Sequence, residues 1–193
     1  MSFFNAFSRE LFCKIVYYGP GLCGKTTNVE RLHQRAQPHL RGNLVSLKTE
    51  SERTLFFDFL PLDLGLIRGF KVRLQLYTVP GQVFYRASRR LILKGADAVV
   101  FVADSQSARL EANVESMLDL RENLSDLKIP LESLSCVIQY NKRDLEDIEP
   151  VERLRALLNP MGAPEVEGAA ASGVGVAETL HAAAKQVLRR LAA

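Results

Sequence analysis

The chain has 193 residues, 47% of them hydrophobic, which is enough for one core and short for two that pack independently. Its 25 Lys and Arg against 22 Asp and Glu leave a net charge of +3, too slight a bias to argue for nucleic acid or a membrane surface as partner. Cys13, Cys23 and Cys136 are odd in number and lack metal-ligand spacing, so they read as reduced core thiols in a cytoplasm rather than a disulfide frame or a zinc site.

The first ten residues lack a basic region followed by a long apolar core and do not form a secretory signal. An apolar run from Leu11 to Tyr18 predicts the first strand. It leads into Gly19-Pro20-Gly21-Leu22-Cys23-Gly24-Lys25-Thr26, which fits G-x-x-x-x-G-K-T, and then into a helical pattern over Thr27 to Arg35. Strand, glycine-rich turn and helix in this order make a phosphate cradle: successive N–H groups curl inward, and the helix N-terminus adds partial positive charge. The nucleotide-binding set is Gly19, Gly21, Leu22, Cys23, Gly24, Lys25, Thr26 and Thr27. Lys25 is placed on the β- and γ-phosphates, and the Thr26 hydroxyl on a magnesium ion bridging them. Cys23, inside the loop, is also open to a role in sensing oxidants, given exposure and a lowered pKa.

Further along, Leu44 to Lys48 and Val72 to Val79 predict strands separated by Leu55-Phe56-Phe57-Asp58-Phe59-Leu60, Gly65 and Gly69. Leu44 to Lys48 and Val72 to Leu76 are expected to pair as an antiparallel edge. The aromatic segment reads either as core or as a docking surface. Arg86, Arg89, Arg90 and Lys94 read as a solvated helix face, with partner binding as the alternative. Ala98 to Asp104 is a uniformly apolar buried strand, far too short to span a bilayer. Leu110 to Leu127 has helical spacing, Ser135 to Tyr140 is a strand, and Val151 to Leu158 and Val176 to Leu191 are helices. His33, His39 and His181 are isolated and suit surface or packing roles.

Strands alternating with helices predict an α/β P-loop three-layer fold: a mostly parallel sheet with one antiparallel edge and helices on both faces. Residues 1–193 are read as a single domain, since no repeat, low-complexity tract or linker interrupts them. Such sheets bind ligands beyond the carboxyl ends of their strands. Three polar or glycine-rich segments fall there: the phosphate loop, Thr78-Val79-Pro80-Gly81-Gln82 and Asn141-Lys142-Arg143-Asp144.

The last of these selects the base. An ionised Asp144 accepts hydrogen bonds only, and guanine presents N–H and amino donors on its Watson–Crick edge. Adenine would leave that charge unpaired, so ATP is excluded. Asn141 can give a donor and an acceptor to the purine or to neighbouring loops, while the Lys142 stem can cover the ring face.

These segments, with Arg53 to Pro61 and Leu76 to Tyr85, resemble small Ras-like GTPases and, within them, the bacterial MglA group that controls cell polarity and motility. The resemblance spans about residues 9 to 190. It implies that Gln82 orients the attacking water and that Arg53 is an internal arginine finger. It also implies that Thr54 meets magnesium in the GTP state, that Gly81 donates its N–H to the γ-phosphate, and that an N–H near Ala170, within Ala169-Ala170-Ala171, meets the guanine oxygen. Taken alone, Arg53 reads as an exposed loop charge, Gln82 as a helix-cap residue, Thr54 as an ordinary loop threonine and Ala170 as part of a small-residue turn. One departure stands out: Thr78 occupies the place of the Asp in Asp-x-x-Gly, leaving the metal shell without its usual carboxylate or passing that task to Asp58.

The resemblance therefore implies GTP and GDP as ligands, magnesium as cofactor, and metal contacts at Thr26 and Thr54. It implies a dimeric roadblock/LC7-type activating partner, MglB-like, together with polarity or motility effectors. The expected location is cytoplasmic, with recruitment to cell poles or membrane-associated complexes in the GTP state. No nucleic acid or integral membrane segment is expected, and Lys185, Arg189 and Arg190 stand without a prenylation cysteine. The competing readings are a GTP-dependent scaffold with negligible hydrolysis and a P-loop kinase of a small metabolite.

Overall fold

Alternation along the central strands decides the architecture. In β6 (Ala98–Asp104) every residue is buried, with Ala98, Val100 and Val102 packing into one hydrophobic cluster and Val99, Phe101 and Ala103 into another. Successive side chains of a strand point to opposite faces, so a strand apolar at every position must be covered on both sides. β2 (Glu10–Tyr18) divides in the same way, with Cys13, Ile15 and Tyr17 on the first face and Val16 and Tyr18 on the second. The first face meets α1 (Lys25–Arg35) through Val29 and Leu32, and α5 (Val176–Ala192) through Ala183 and Val187. The second meets α2 (Arg86–Leu93), α3 (Leu110–Asp126) and α4 (Val151–Leu158) through Ile92, Met117, Leu120, Leu124, Leu154 and Leu158. Each fully enclosed side chain of this size contributes about 1.5–3 kcal/mol.

The computed structural model describes residues 3–5, 9–48, 54–81, 85–130 and 133–192. The remaining strands are β1 (Phe3–Asn5), β3 (Val45–Lys48), β4 (Thr54–Ile67), β5 (Phe70–Thr78), β7 (Ser135–Asn141) and β8 (Glu165–Glu167). The sheet runs β3-β4-β5-β2-β6-β7-β8, with β1 beside the start of β2. Pairing is parallel from β5 to β8 and antiparallel for β3–β4, β4–β5 and β1–β2.

One expected pairing does not form. Leu44 to Lys48 and Val72 to Leu76 are not neighbours, because β4 lies between them, with Ser46 opposite Asp58 on one side and Leu60 opposite Leu76 on the other. Pro61 and Gly65 disguise β4 as loop. The pairing register shifts between Asp63 and Leu66, so the strand absorbs Gly65 at an irregularity.

A buried polar seam joins the two chain-remote helices on the first face. Asn28 of α1 and Gln139 of β7 exchange two amide hydrogen bonds at 2.8 and 3.0 Å, and Gln139 Nε2 also donates to Thr179 Oγ1 of α5 at 2.9 Å. All three residues are fully buried.

Candidate functional site

The parallel strands β2, β5, β6 and β7 all end on one edge, and the loops leaving them converge there. Gly24 is the N-cap of α1 and has φ +100°, a conformation that glycine adopts without strain. A β-carbon there would stand 2.2 Å from Asn141 Nδ2, so the close approach also demands glycine. The α1 N-cap makes no side-chain hydrogen bond and the first turn holds no acidic residue. Its amides and dipole are thereby left to face an anion.

Lys25 is buried and turns back into the loop, donating to Gly19 O at 2.9 Å and Pro20 O at 2.7 Å, with Cys23 Sγ at 3.6 Å. Cys23 is fully enclosed, and burial raises its thiol pKa more than the neighbouring Lys25 lowers it. That neutral, inaccessible thiol argues against oxidant sensing. Cys13 and Cys136 are likewise buried and outside any disulfide, with burial pushing Cys136 up to about 11.

Asn141 joins three loops. Its Nδ2 donates to Cys23 O at 2.7 Å, and its Oδ1 accepts the Ala170 N–H at 2.8 Å. It is almost fully buried, and one donor and one acceptor of its amide serve neighbouring loops. Ala170 therefore enters the site by bracing Asn141. Lys142 Nζ meets Asp104 Oδ2 at 2.6 Å and Gln106 Oε1 at 3.1 Å, while Asp144 is exposed beyond it.

A carboxylate also lies at the edge of the phosphate loop. Asp58, from β4, is 1% exposed. Its Oδ2 accepts Thr26 Oγ1 at 2.6 Å and Thr78 Oγ1 at 2.8 Å, and its Oδ1 accepts Ser46 Oγ. Thr78, also fully buried, in turn accepts the Asp58 N–H at 2.8 Å. This all-oxygen set has the chemistry that magnesium prefers.

Gly81 packs its backbone on the phosphate loop, and a β-carbon there would lie 2.5 Å from Gly21 N. Arg53 and Gln82 lie outside the described residues. Thr54 opens β4 opposite Lys48, and its side chain is not among those described. Gly19, Gly21, Leu22, Thr26 and Thr27 complete the loop and the first turn of α1.

The family model "Ras family" matches residues 14–189. The chain belongs to the Ras family. Mutual gliding-motility protein MglA of Myxococcus xanthus is 60% identical over 191 residues, 99% of this chain and 98% of that protein. More distant Ras-family relatives include the Ras and EF-hand domain-containing protein homolog of Mus musculus, 26% identical over 92% of this chain and 27% of its own length. Ras-related protein RabG2 of Dictyostelium discoideum is 25% identical over 91% and 82%. As a Ras-family GTPase, the chain is a guanine-nucleotide-binding protein, and its fold matches the expected mostly parallel sheet.

Two residues of this Ras-family site escape sequence reasoning. Asp104, fully buried at the carboxyl end of β6, holds Lys142, and Arg109 donates to Gly21 O at 2.9 Å. A signal existed for the first, because an acid closing an entirely apolar strand stands where such sheets build sites. Arg109 carried none. Among the described residues, no helix is long and apolar enough to cross a membrane.

Proposed function

We propose that this chain is a cytoplasmic molecular switch that binds GTP with magnesium, hydrolyses it to GDP, and governs cell polarity or motility. The observation carrying this reading is the Asn141 amide, which ties the phosphate loop at Cys23 to the guanine-reading turn and the Ala170 loop. Phosphate and base recognition thereby form one rigid site.

In phosphoryl transfer the protein positions groups and offsets charge on the γ-phosphoryl oxygens. Lys25 and the amides of Gly19 to Thr27 hold the phosphates, and the Gly81 N–H meets the γ-phosphate. Asp144 reads the base while the Lys142 stem covers its face. Gln82 orients the attacking water, and Arg53 offsets the spreading negative charge from within the chain. When bound, magnesium would neutralise part of the phosphate charge. Thr26 and Thr54 would hold it directly, with Asp58 giving the carboxylate that position 78 lacks. Thr78 keeps Asp58 in place by donating to its carboxylate and accepting its backbone N–H.

An internal arginine lets a partner accelerate hydrolysis by ordering loops without inserting a residue of its own. The partner we assign is a dimeric roadblock/LC7-type protein, MglB-like. The 60% identity to the gliding-motility protein MglA supports the polarity or motility setting, with recruitment to poles or membrane-associated complexes in the GTP state. The single-domain reading of residues 1–193 goes with this assignment.

The deciding experiment measures GTP hydrolysis by the purified chain with and without the roadblock-type partner, for wild type, Arg53→Ala and Gln82→Ala. Each variant is expected to lose at least about 100-fold in partner-stimulated turnover while keeping GDP affinity. Negligible turnover in all three, with or without the partner, would leave a GTP-dependent scaffold as the better reading, and undiminished turnover in both variants would reject the roles given to Arg53 and Gln82.

A further inference from the structure

We propose that Arg109 is a positioning residue that aims the Leu22 backbone amide into the phosphate cradle; this deepens the nucleotide-binding reading above and rests on it. The Gly21–Leu22 peptide is planar and trans, so its carbonyl and its N–H point in opposite directions. Arg109 Nη2 donates to that carbonyl at 2.9 Å and holds it on the side of α3. The Leu22 N–H therefore faces the other way.

That orientation runs against the preference of the residue that carries it. Leu22 has φ +66°, the left-handed region that a branched L side chain disfavours. A flip of the Gly21–Leu22 peptide would return leucine to negative φ and turn the amide out of the cradle. Packing offers little resistance, because Leu22 is 71% exposed. The hydrogen bond from Arg109 supplies the missing restraint.

Arg109 is itself held from behind. Its Nε lies 3.9 Å from Asp104 Oδ2, the oxygen that also accepts Lys142 Nζ at 2.6 Å. Asp104 cannot drift, since its N–H and C=O are both bonded to the Asn113 side chain, at 2.9 and 2.8 Å. One buried carboxylate thus orients two cations, one at the base-reading turn and one on the phosphate loop. A second tether joins these two parts of the site beside the direct one through Asn141.

The test compares release of a fluorescent N-methylanthraniloyl GDP from wild type, Arg109→Ala, Leu22→Gly and the double variant, in magnesium at constant salt. Removing Arg109 leaves Asp104 paired with Lys142, so no buried charge is stranded. Glycine at position 22 is at ease at positive φ, so the loop in that background loses its pull toward the flipped peptide. Arg109→Ala is expected to speed release about 10-fold in the wild-type background and less than about 3-fold beside Leu22→Gly. Equal acceleration in both backgrounds would mean that Arg109 acts only by attracting phosphate charge, and it would overturn the proposal, as would no acceleration at all. If wild type itself retains no labelled GDP, the nucleotide-binding reading fails and this one with it. Retention by wild type with unequal or equal effects bears on Arg109 alone.

Discussion

A side-chain amide that bonds a carbonyl at one end and an N–H at the other has no replacement of equal size and neutrality. Truncating Asn141 to Ala strands Cys23 O and the Ala170 N–H in a buried setting. Each unpaired group costs about 1–3 kcal/mol, so Asn141→Ala is expected to lower unfolding stability by about 2–4 kcal/mol in urea titrations and to weaken GDP in calorimetry. Asp144 is exposed and makes a different prediction. Asp144→Asn leaves urea stability unchanged but moves base preference from guanine toward xanthine, whose 2-oxo group accepts from the new amide. Competition between GDP and XDP reads this out, and undiminished guanine preference rejects Asp144 as the base reader. At this scale the phosphate loop and Asn141 to Asp144 were legible because their chemistry needs particular residue types side by side in the chain. The buried position of Asn141 was not, since its partners are backbone groups of two remote loops. Arg109 was hidden for the same reason, since it acts on something far off in sequence, whereas Asp104 left a signal as the acid closing an apolar strand.

Among the elements, helices α3, α4 and α5 and strands β2, β6 and β7 were readable from periodicity, because each packs a face or faces long enough to leave a pattern. The strand β4 was not, for Pro61 and Gly65 punctuate it and its neighbours supply the burial that its composition does not advertise. Nor was three-residue β8. On α2, the basic run proves only partly solvated: Arg86 and Arg90 pair with Glu122 and Asp126 at the surface. Arg89, 5% exposed, turns inward to Asp119 at 2.8 Å and Pro80 O at 3.3 Å. Spacing alone does not distinguish these, because all three arginines lie within one helical turn or so of each other. At the other end of the sheet, Glu165 of β8 accepts from Asn159, Arg155 and Tyr140 at 2.7–2.9 Å. Burial alone would raise its pKa, but those hydrogen bonds outweigh it and hold the carboxyl below its ordinary value of 4.5. A carboxyl depressed in the folded state gives stability that is fully present above its unfolded pKa and is lost as pH falls through the folded one. Glu165→Gln is therefore expected to cost about 1 kcal/mol at pH 7, with the gap to wild type closing below about pH 4 in acid unfolding followed by circular dichroism. A gap independent of pH would show that the carboxylate charge is immaterial.

For the molecule as a whole, a ligand that bridges the phosphate loop, the turn at Asn141 to Asp144 and the Ala170 loop should stabilise every layer at once. GDP with magnesium at 100-fold its Kd adds about 2.7 kcal/mol, roughly 5–10 °C in Tm for a chain of this size. ADP at equal concentration is expected to leave the melting curve in place, and a matching rise with ADP would contradict guanine selection. The Asn28–Gln139–Thr179 seam has a further bearing on such experiments. Its members are uncharged and sealed from solvent, so neither acid nor brine, which strip the carboxylate pairs along α2 and α3, has purchase on it. As long as the chain is folded, α5 stays tied to the helix that follows the phosphate loop by bonds without charge, so a probe attached to α5 is expected to report on events at the nucleotide through a joint that pH and salt do not act on directly.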